Sequence, residues 1–373
     1  GNFFYYDRKI TILARQTPIP LSNNLAANIA SASQLKFKLK SRNKEFAVDP
    51  QEFKTWTESY TRFYTNKPGL RVNTERIKTY LEELSKKISA PPTNPRLIIS
   101  DGKITEFEPP KAGRTINISA SLTNIASTLV RESVNNNGKT IVAELVFGEV
   151  QPTVTLDNAN DLGINTLLAK GESDFSGSPK SRIHNLTVGS QRFTGTLIAP
   201  GNEFSFNRLL GNVDASTGYL PEMVIKKGTI TPEYGGGLCQ VSTTLFRAVA
   251  FAGLPVLERH PHSLAVRYYN PQGFDATIYP GVSDLRFKND TQAYILIQSK
   301  IVNSKLYFEI YGTKDDRKVV LGGPRQYDIQ PSGALKAELV RTVLYPDGTE
   351  KKDIFRSSYK PTSSAPVVRN PLE

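Results

Sequence analysis

The chain has 373 residues, 38% of them hydrophobic, with 18 Phe and 16 Tyr. That is enough to bury sizeable cores in two or three domains, and it excludes a disordered chain. The 47 Lys and Arg against 35 Asp and Glu leave a formal net charge of +12. With no zinc-finger spacing and no arginine-rich helix, this basic surface points to a wall polymer or an anionic membrane surface as partner, not to nucleic acid.

A single cysteine, Cys239, excludes an intrachain disulfide. Domains of this size stand without one, so an extracytoplasmic location stays open. No apolar run reaches the roughly 18 residues that a bilayer requires, and no leader peptide is visible. The opening Gly1-Asn2-Phe3-Phe4-Tyr5-Tyr6 suits a membrane interface. It reads as the start of a segment that follows a removed anchor, with a plain first strand as the competing reading.

In chain order, residues 49–64 read as a helix with Asp49 as N-cap. Residues 72–88 read as a stronger one, capped by Asn73, with Ile77, Tyr80, Leu81, Leu84 and Ile88 at helical spacing. Strands are expected at 97–100 and 104–107 around an Asp101-Gly102 turn. A helix over 119–134, with Leu122, Ile125, Ala126 and Leu129 on one face, and a strand at 140–147 complete this first region. It spans 1–165 and reads as an α+β spacer or binding domain. The second region, 166–312, alternates short strands with one clear helix over 238–252. Val241, Leu245, Ala248, Val249 and Ala252 form its stripe and Gly253 stops it. This helix is expected to pack on a β-sheet that includes strands at 293–297 and 305–311. The third region, 313–373, reads as a β-hairpin around Pro346-Asp347-Gly348 followed by a disordered Pro/Ser tail. The fold class is α+β throughout.

Chemistry concentrates at Gly235-Gly236-Gly237-Leu238-Cys239-Gln240. A thiol in the first turn of a helix sits beside unpaired N–H groups and the positive end of the helix dipole, and both favour thiolate. The glycines permit close approach of another chain and leave amides free to receive an oxyanion. His262 and then Asp275 follow. Their order supplies a nucleophile, a base and a group that orients the base. Gly236, Gly237, Gln240, Ser242, Glu258 and Arg259 are the candidate pocket residues. If 270–273 is a hairpin turn, Asp275 faces Tyr268. It is then about 20 Å along a strand from His262, and Asp275 serves the Gly273 turn instead. Cys239 can also be read as a buried core thiol. A zinc site from His260, His262, Cys239 and Glu258 is the weakest reading, and no motif calls for a metal or any cofactor.

The second region resembles the VanW family. The resemblance rests on Arg182 and Asn185, on residues 200–207 (PGNEFSFN), and on Gly211, Gly218 and Tyr219. It continues through 235–245 (GGGLCQVSTTL), Glu258-Arg259, His262-Ser263, Gly273, Asp275-Ala276-Thr277 and 284–289 (DLRFKN). The first region is similar, through 35–58 and 72–113, to the peptidoglycan-binding domain that often precedes VanW. The Cys, His, Asp order also resembles transglutaminase-like cysteine enzymes. The resemblance implies a cell-wall setting outside the cytoplasm. Within it, two functions are expected. One is a thiol-dependent amide hydrolase or transamidase acting on peptidoglycan peptides. The other is a non-enzymatic wall-binding or scaffold protein in which Tyr219, Tyr234, Tyr268 and Tyr269 stack on sugars or peptides.

Overall fold

The computed structural model describes residues 20–21, 36–41, 44–62, 65–100, 103–135, 140–155, 159–226 and 229–361. The aromatic opening, the Asp101-Gly102 turn and the Pro/Ser tail fall outside them. The fold is α+β, and the chain divides into two compact units, Gly1–Thr93 with Lys111–Pro152, and Asn94–Pro110 with Thr153–Glu373. Among the described residues no helix is long and apolar enough to cross a membrane.

The first unit is built on a mixed three-stranded sheet. Phe37–Ser41 lies at its centre, antiparallel to Lys44–Val48 and parallel to Ile141–Glu144. The helices Thr74–Ile88 and Ile118–Asn135 contribute Ile77, Leu81, Leu84, Ile125 and Leu129 to its core, as their 3.6-residue spacing requires. Asn73 caps the first of them by accepting from the Arg76 amide at 3.1 Å. The helix begun by Asp49 is shorter than its pattern promises. It covers only Pro50–Thr55, and Thr57–Thr61 then turns into a strand paired with Pro68–Val72. Trp56 ends the helix by packing among Phe37, Phe53 and Tyr80, with ring centroids 5.2–5.9 Å away. Burial of that indole and the β-preferring Thr and Tyr residues after it override the helical start. The single strand expected over 140–147 is likewise two, Ile141–Glu144 and Phe147–Val150, in different sheets.

The second unit carries the cysteine. Its central sheet runs Thr166–Asp174, Lys305–Gly312, Ile295–Val302 and Thr196–Ile198, antiparallel throughout. The hairpin of Arg96–Ser100 and Lys103–Glu108 belongs to this unit, though it precedes the sheet by some sixty residues in the chain. The helix Leu238–Ala252, the cysteine helix, buries nearly its whole length against the sheet. Gly171 makes that approach possible, because a Cβ there would stand 2.3 Å from the Thr244 carbonyl oxygen and 2.5 Å from the Ala248 nitrogen. Ser173 Oγ and Thr244 Oγ1 join across the same contact at 2.6 Å. Gly237 begins the helix in the left-handed region at φ 113°, with a Cβ position 3.3 Å from the Arg182 and Leu186 side chains, so only glycine fits without strain.

The C-terminal region is a three-stranded meander, Lys318–Tyr327, Leu335–Leu344 and Glu350–Tyr359, not a lone hairpin. It is part of the second unit's structure. Arg341 is fully buried, held by Asp353 at 2.6 Å, and donates to the carbonyls of Leu254 and Val249 at the end of the cysteine helix. Arg341 thereby ties the meander to the C-terminal end of the helix, where a cation is favoured.

Candidate functional site

Cys239 sits in the first turn of its helix. Val241 N–H and Gln240 N–H are taken by the Gly237 carbonyl, and Leu238 N–H by the Gly235 carbonyl. Among the described residues no backbone carbonyl takes the amides of Gly236, Gly237 or Cys239. These donors are among those a helix start leaves open. Sγ lies 3.4 Å from Thr277 Oγ1 and 3.6 Å from the Ile278 carbonyl. Cys239 keeps part of its surface open, yet the sulfur is crowded enough that burial is the largest influence on its acidity. Burial pushes the thiol up, and His262, Thr277 and the Ile278 backbone outweigh it, bringing the pKa down to about 7.

His262 is 5% exposed and is held from three sides. Its Nδ1–H donates to Asp275 Oδ2 at 2.6 Å, its backbone N–H donates to the same oxygen at 2.8 Å, and its ring stacks on Tyr269 at 4.0 Å. Nε2 has no aligned hydrogen-bond partner among the described residues. It is nevertheless close enough to the sulfur for thiol and imidazole to shift each other. The contact is one of charge and proximity, as in many resting sites where alignment waits for substrate. Burial pulls the imidazole down, and Asp275 and Cys239 together raise it to about 9. The thiol thus titrates below the imidazolium, and the pair exists as thiolate and imidazolium between those values.

Asp275 is fully buried and is the hub of the site. Besides His262 it accepts from Arg259 Nη2 at 3.0 Å and from the Tyr359 hydroxyl at 2.6 Å. Burial would raise its carboxyl, but His262, Arg259 and Tyr359 hold it well below the usual carboxylate range. Reaching His262 does not require the hairpin expected at 270–273. His260 pairs antiparallel with Thr277, and the same register sets Asp275 opposite His262. The intervening chain leaves as a loop containing the short 3-10 turn Arg267–Tyr269. Arg247 of the cysteine helix fixes that loop by donating to the carbonyls of Tyr269, Asn270, Phe274 and Glu172 at 2.7–3.1 Å. Thr243 pins the Asp275 strand to the helix through the Ala276 amide and carbonyl.

The expected pocket residues have other partners. The Gly236 carbonyl accepts from Asn185, and Gly237 is the helix cap. Gln240 is buried and bonds Ser173, the Asp174 carbonyl and Arg182. Ser242 is fully buried within the core, which leaves it no surface to offer a ligand. Glu258 receives the Asp284 amide and pairs with Arg286, while Arg259 braces Asp275 and the Gly273 and Asp275 carbonyls. His260 turns to Glu258 at 3.2 Å while His262 turns inward to Asp275, so the two rings do not converge as the zinc reading requires. Of the four tyrosines, Tyr219 and Tyr269 are buried and cannot stack on a sugar, whereas Tyr234 and Tyr268 retain surface. Sequence reasoning passed over Thr277, Arg247 and Tyr359. Tyr359 lies 84 residues from Asp275 in a strand whose pattern speaks only of a hairpin.

The first unit has a separate cavity of about 620 Å³, lined by Lys44, Lys87 and Arg114 among Ser41, Phe46, Ile88, Ala90 and Phe147. The Arg114 guanidinium lies 3.7 Å from the Phe147 ring centre, and no acidic residue lines the cavity.

Two family models match the chain. One, described as "VanW like protein", covers residues 181–311, and the other, "Putative peptidoglycan binding domain", covers residues 22–136. The segment that carries the cysteine site is VanW-like. The VanW match contains Cys239, His262 and Asp275 but ends before Tyr359. Among curated proteins the chain is similar to the uncharacterized protein YoaR of Bacillus subtilis, with 37% identity over 37% of this chain and 46% of that one. It is also similar to the vancomycin B-type resistance protein VanW of Enterococcus faecalis, with 29% identity over 42% of this chain and 58% of that one. The chain spans about half the length of these relatives. Among solved structures, the Ldtfm–avibactam carbamoyl enzyme overlaps 34% of the chain at 12% identity and TM-score 0.23, covering 45% of that structure. An Enterococcus faecium L,D-transpeptidase mutant overlaps 34% at 12% identity and TM-score 0.22, covering 46%. These overlaps are too slight to bear on fold or chemistry.

Proposed function

We propose that this protein is a cell-wall-associated, extracytoplasmic thiol acyl-transfer enzyme acting on amide bonds of peptidoglycan peptides. The observation that carries the reading is the placement of Cys239 in the first turn of a helix beside a buried His262 whose ring Asp275 fixes, where each group favours the charged form of the other. The Cys239 thiolate attacks the amide carbon. A carbon–sulfur bond forms, the carbon–nitrogen bond breaks, and the imidazolium proton goes to the departing amine. Water or a second amine then attacks the thioester, gives its proton to His262 and releases the thiolate. Hydrolysis follows in the first case and transamidation in the second. The amides of Gly236, Gly237 and Cys239, which no backbone carbonyl takes among the described residues, would receive the oxyanion of each tetrahedral intermediate.

The wall setting is supported by the two family matches and by the cationic cavity of the first unit, which suits an anionic wall polymer. That cavity also supports a second reading, a wall-binding scaffold without turnover. Incubation with purified muropeptides separates the two. The enzyme reading expects muropeptide masses to change with the wild-type protein and a thioester adduct on the intact chain, both absent in Cys239→Ala. Unchanged masses, with sacculus binding equal in the two proteins, would leave the scaffold.

A further inference from the structure

We infer that Arg182 and Arg267, both against Tyr268 near Cys239, form an anion subsite that receives a free carboxylate of the peptide being acted on. This rests on the acyl-transfer reading and deepens it. The substrate is then a peptide whose reacting amide lies within about a residue of an unamidated carboxylate.

Arg182 comes from the helix Lys180–Gln191 and is 8% exposed. Its guanidinium lies 4.5 Å from the Tyr268 ring centre, and Nη2 donates to Gln240 Oε1 at 3.0 Å. Nε is buried and has no partner, and among the described residues no carboxylate stands within ion-pair reach of the group. A guanidinium taken out of water without a counter-ion and with a donor unused is costly. An anion arriving beside it would complete the group. The sulfur is not that anion, because His262 already serves as its cation.

Three observations place Arg182 at the reacting centre. Gln240, which it bonds, directly follows Cys239. The Cβ position of Gly237, the cap of the cysteine helix, is 3.3 Å from Arg182 Cγ. Tyr269, stacked under His262, has a phenol that responds to both the Cys239 thiol and Arg182. Arg267 approaches the Tyr268 ring at 5.1 Å, is exposed, and has no ion pair among the described residues. Ser178, whose hydroxyl acts on the Tyr268 phenol, adds a neutral polar group there. Two guanidiniums on one aromatic ring, the exposed Arg267 and the buried Arg182 with an unused donor, suit the charge of a carboxylate.

Protection of Cys239 against iodoacetamide reads binding without requiring turnover. The probes are purified muropeptides in native form, the same pool with all carboxylates converted to carboxamides, and a pool amidated only at the peptide C-terminus. Native muropeptides are expected to protect wild-type Cys239 at concentrations at least tenfold lower than the fully amidated pool. The C-terminal amide identifies which carboxylate is read. In Arg182→Gln the native and amidated pools should protect equally, and Arg182→Lys should recover part of the preference. Melting temperature verifies folding. If Arg182→Gln does not fold, the exposed Arg267→Gln carries the test and should lose part of the same preference. Equal protection by the two pools in the wild type, or an undiminished preference in the folded variants, overturns the subsite. A preserved preference with no muropeptide turnover sinks the acyl-transfer reading and leaves the subsite standing.

Discussion

Asp275 is the residue on which the site turns, and its contacts predict how the site fails. It is fully buried and paired with a guanidinium that is itself nearly sealed from solvent. Asp275→Asn keeps the shape but leaves the Arg259 charge without its partner, and should cost about 3–5 kcal/mol in unfolding free energy. Urea titration checks this, and a loss below about 1 kcal/mol would contradict the placement. The sign of the pH effect follows from its depressed pKa. The stability that Asp275 contributes is full above the ordinary carboxylate range and is lost as pH falls below it. Activity should follow the two members of the pair. Thiolate is gained as pH rises through about 7, and the imidazolium that protonates the leaving amine is lost through about 9. The rate of acyl transfer is therefore expected to peak between those values, and a profile that rises without a descending limb would remove His262 as the acid. Cys239 and His262 could be named as candidates from the residues alone, because a thiol follows three glycines at a helix start and His260 and His262 lie downstream of it. The Asp275 contact could not. Nearest-turn reasoning closes a hairpin at 270–273, whereas Arg247 gathers three loop carbonyls and one strand carbonyl beside the register through His260 and Thr277. One arginine on a helix leaves no periodic trace of such a task.

At the scale of elements, the cysteine helix is positioned by what it touches at each end. Gly171 lets it lie against the sheet, and Arg341 ties the meander to its C-terminal end. Gly171→Ala would push a methyl group into helix backbone, where neither partner can yield as a flexible side chain would. A loss of about 1–3 kcal/mol is expected, with the Cys239 reactivity altered alongside it. Thermal melting with and without alkylation reads both, and an unchanged melting temperature would show that the helix sits farther from the strand. The boundaries of this helix were plain in the sequence, since the apolar stripe runs to Gly253. The strand Lys318–Tyr327 was not, because its Gly322-Gly323-Pro324 interruption and mostly exposed side chains carry little period-2 signal. The helix starting at Asp49 was overread for the opposite reason. Its cap is real, but Trp56 found more burial in the aromatic cluster than in another helical turn.

For the whole molecule, the proposed chemistry and the proposed wall contact fall to different units. The catalytic proposal needs the C-terminal meander, because Tyr359 reaches Asp275 and Ser357 reaches Arg259 from outside the matched VanW segment. The first unit supplies the cavity of Lys44, Lys87 and Arg114. Replacing these three by Gln should weaken binding to isolated sacculi several-fold at low salt and flatten its salt dependence, with muropeptide turnover by the second unit retained. Pull-down across an ionic-strength series checks it, and unchanged binding would move the wall contact elsewhere.

The central claim is an ionised sulfur poised by an imidazole, and the pH dependence of Cys239 alkylation by iodoacetamide tests it most directly. The account predicts a midpoint near 7 in the wild type, displaced upward in His262→Ala, where burial of the sulfur is no longer opposed by a neighbouring cation. A wild-type midpoint at or above that of a free cysteine, or one indifferent to the loss of His262, would contradict it.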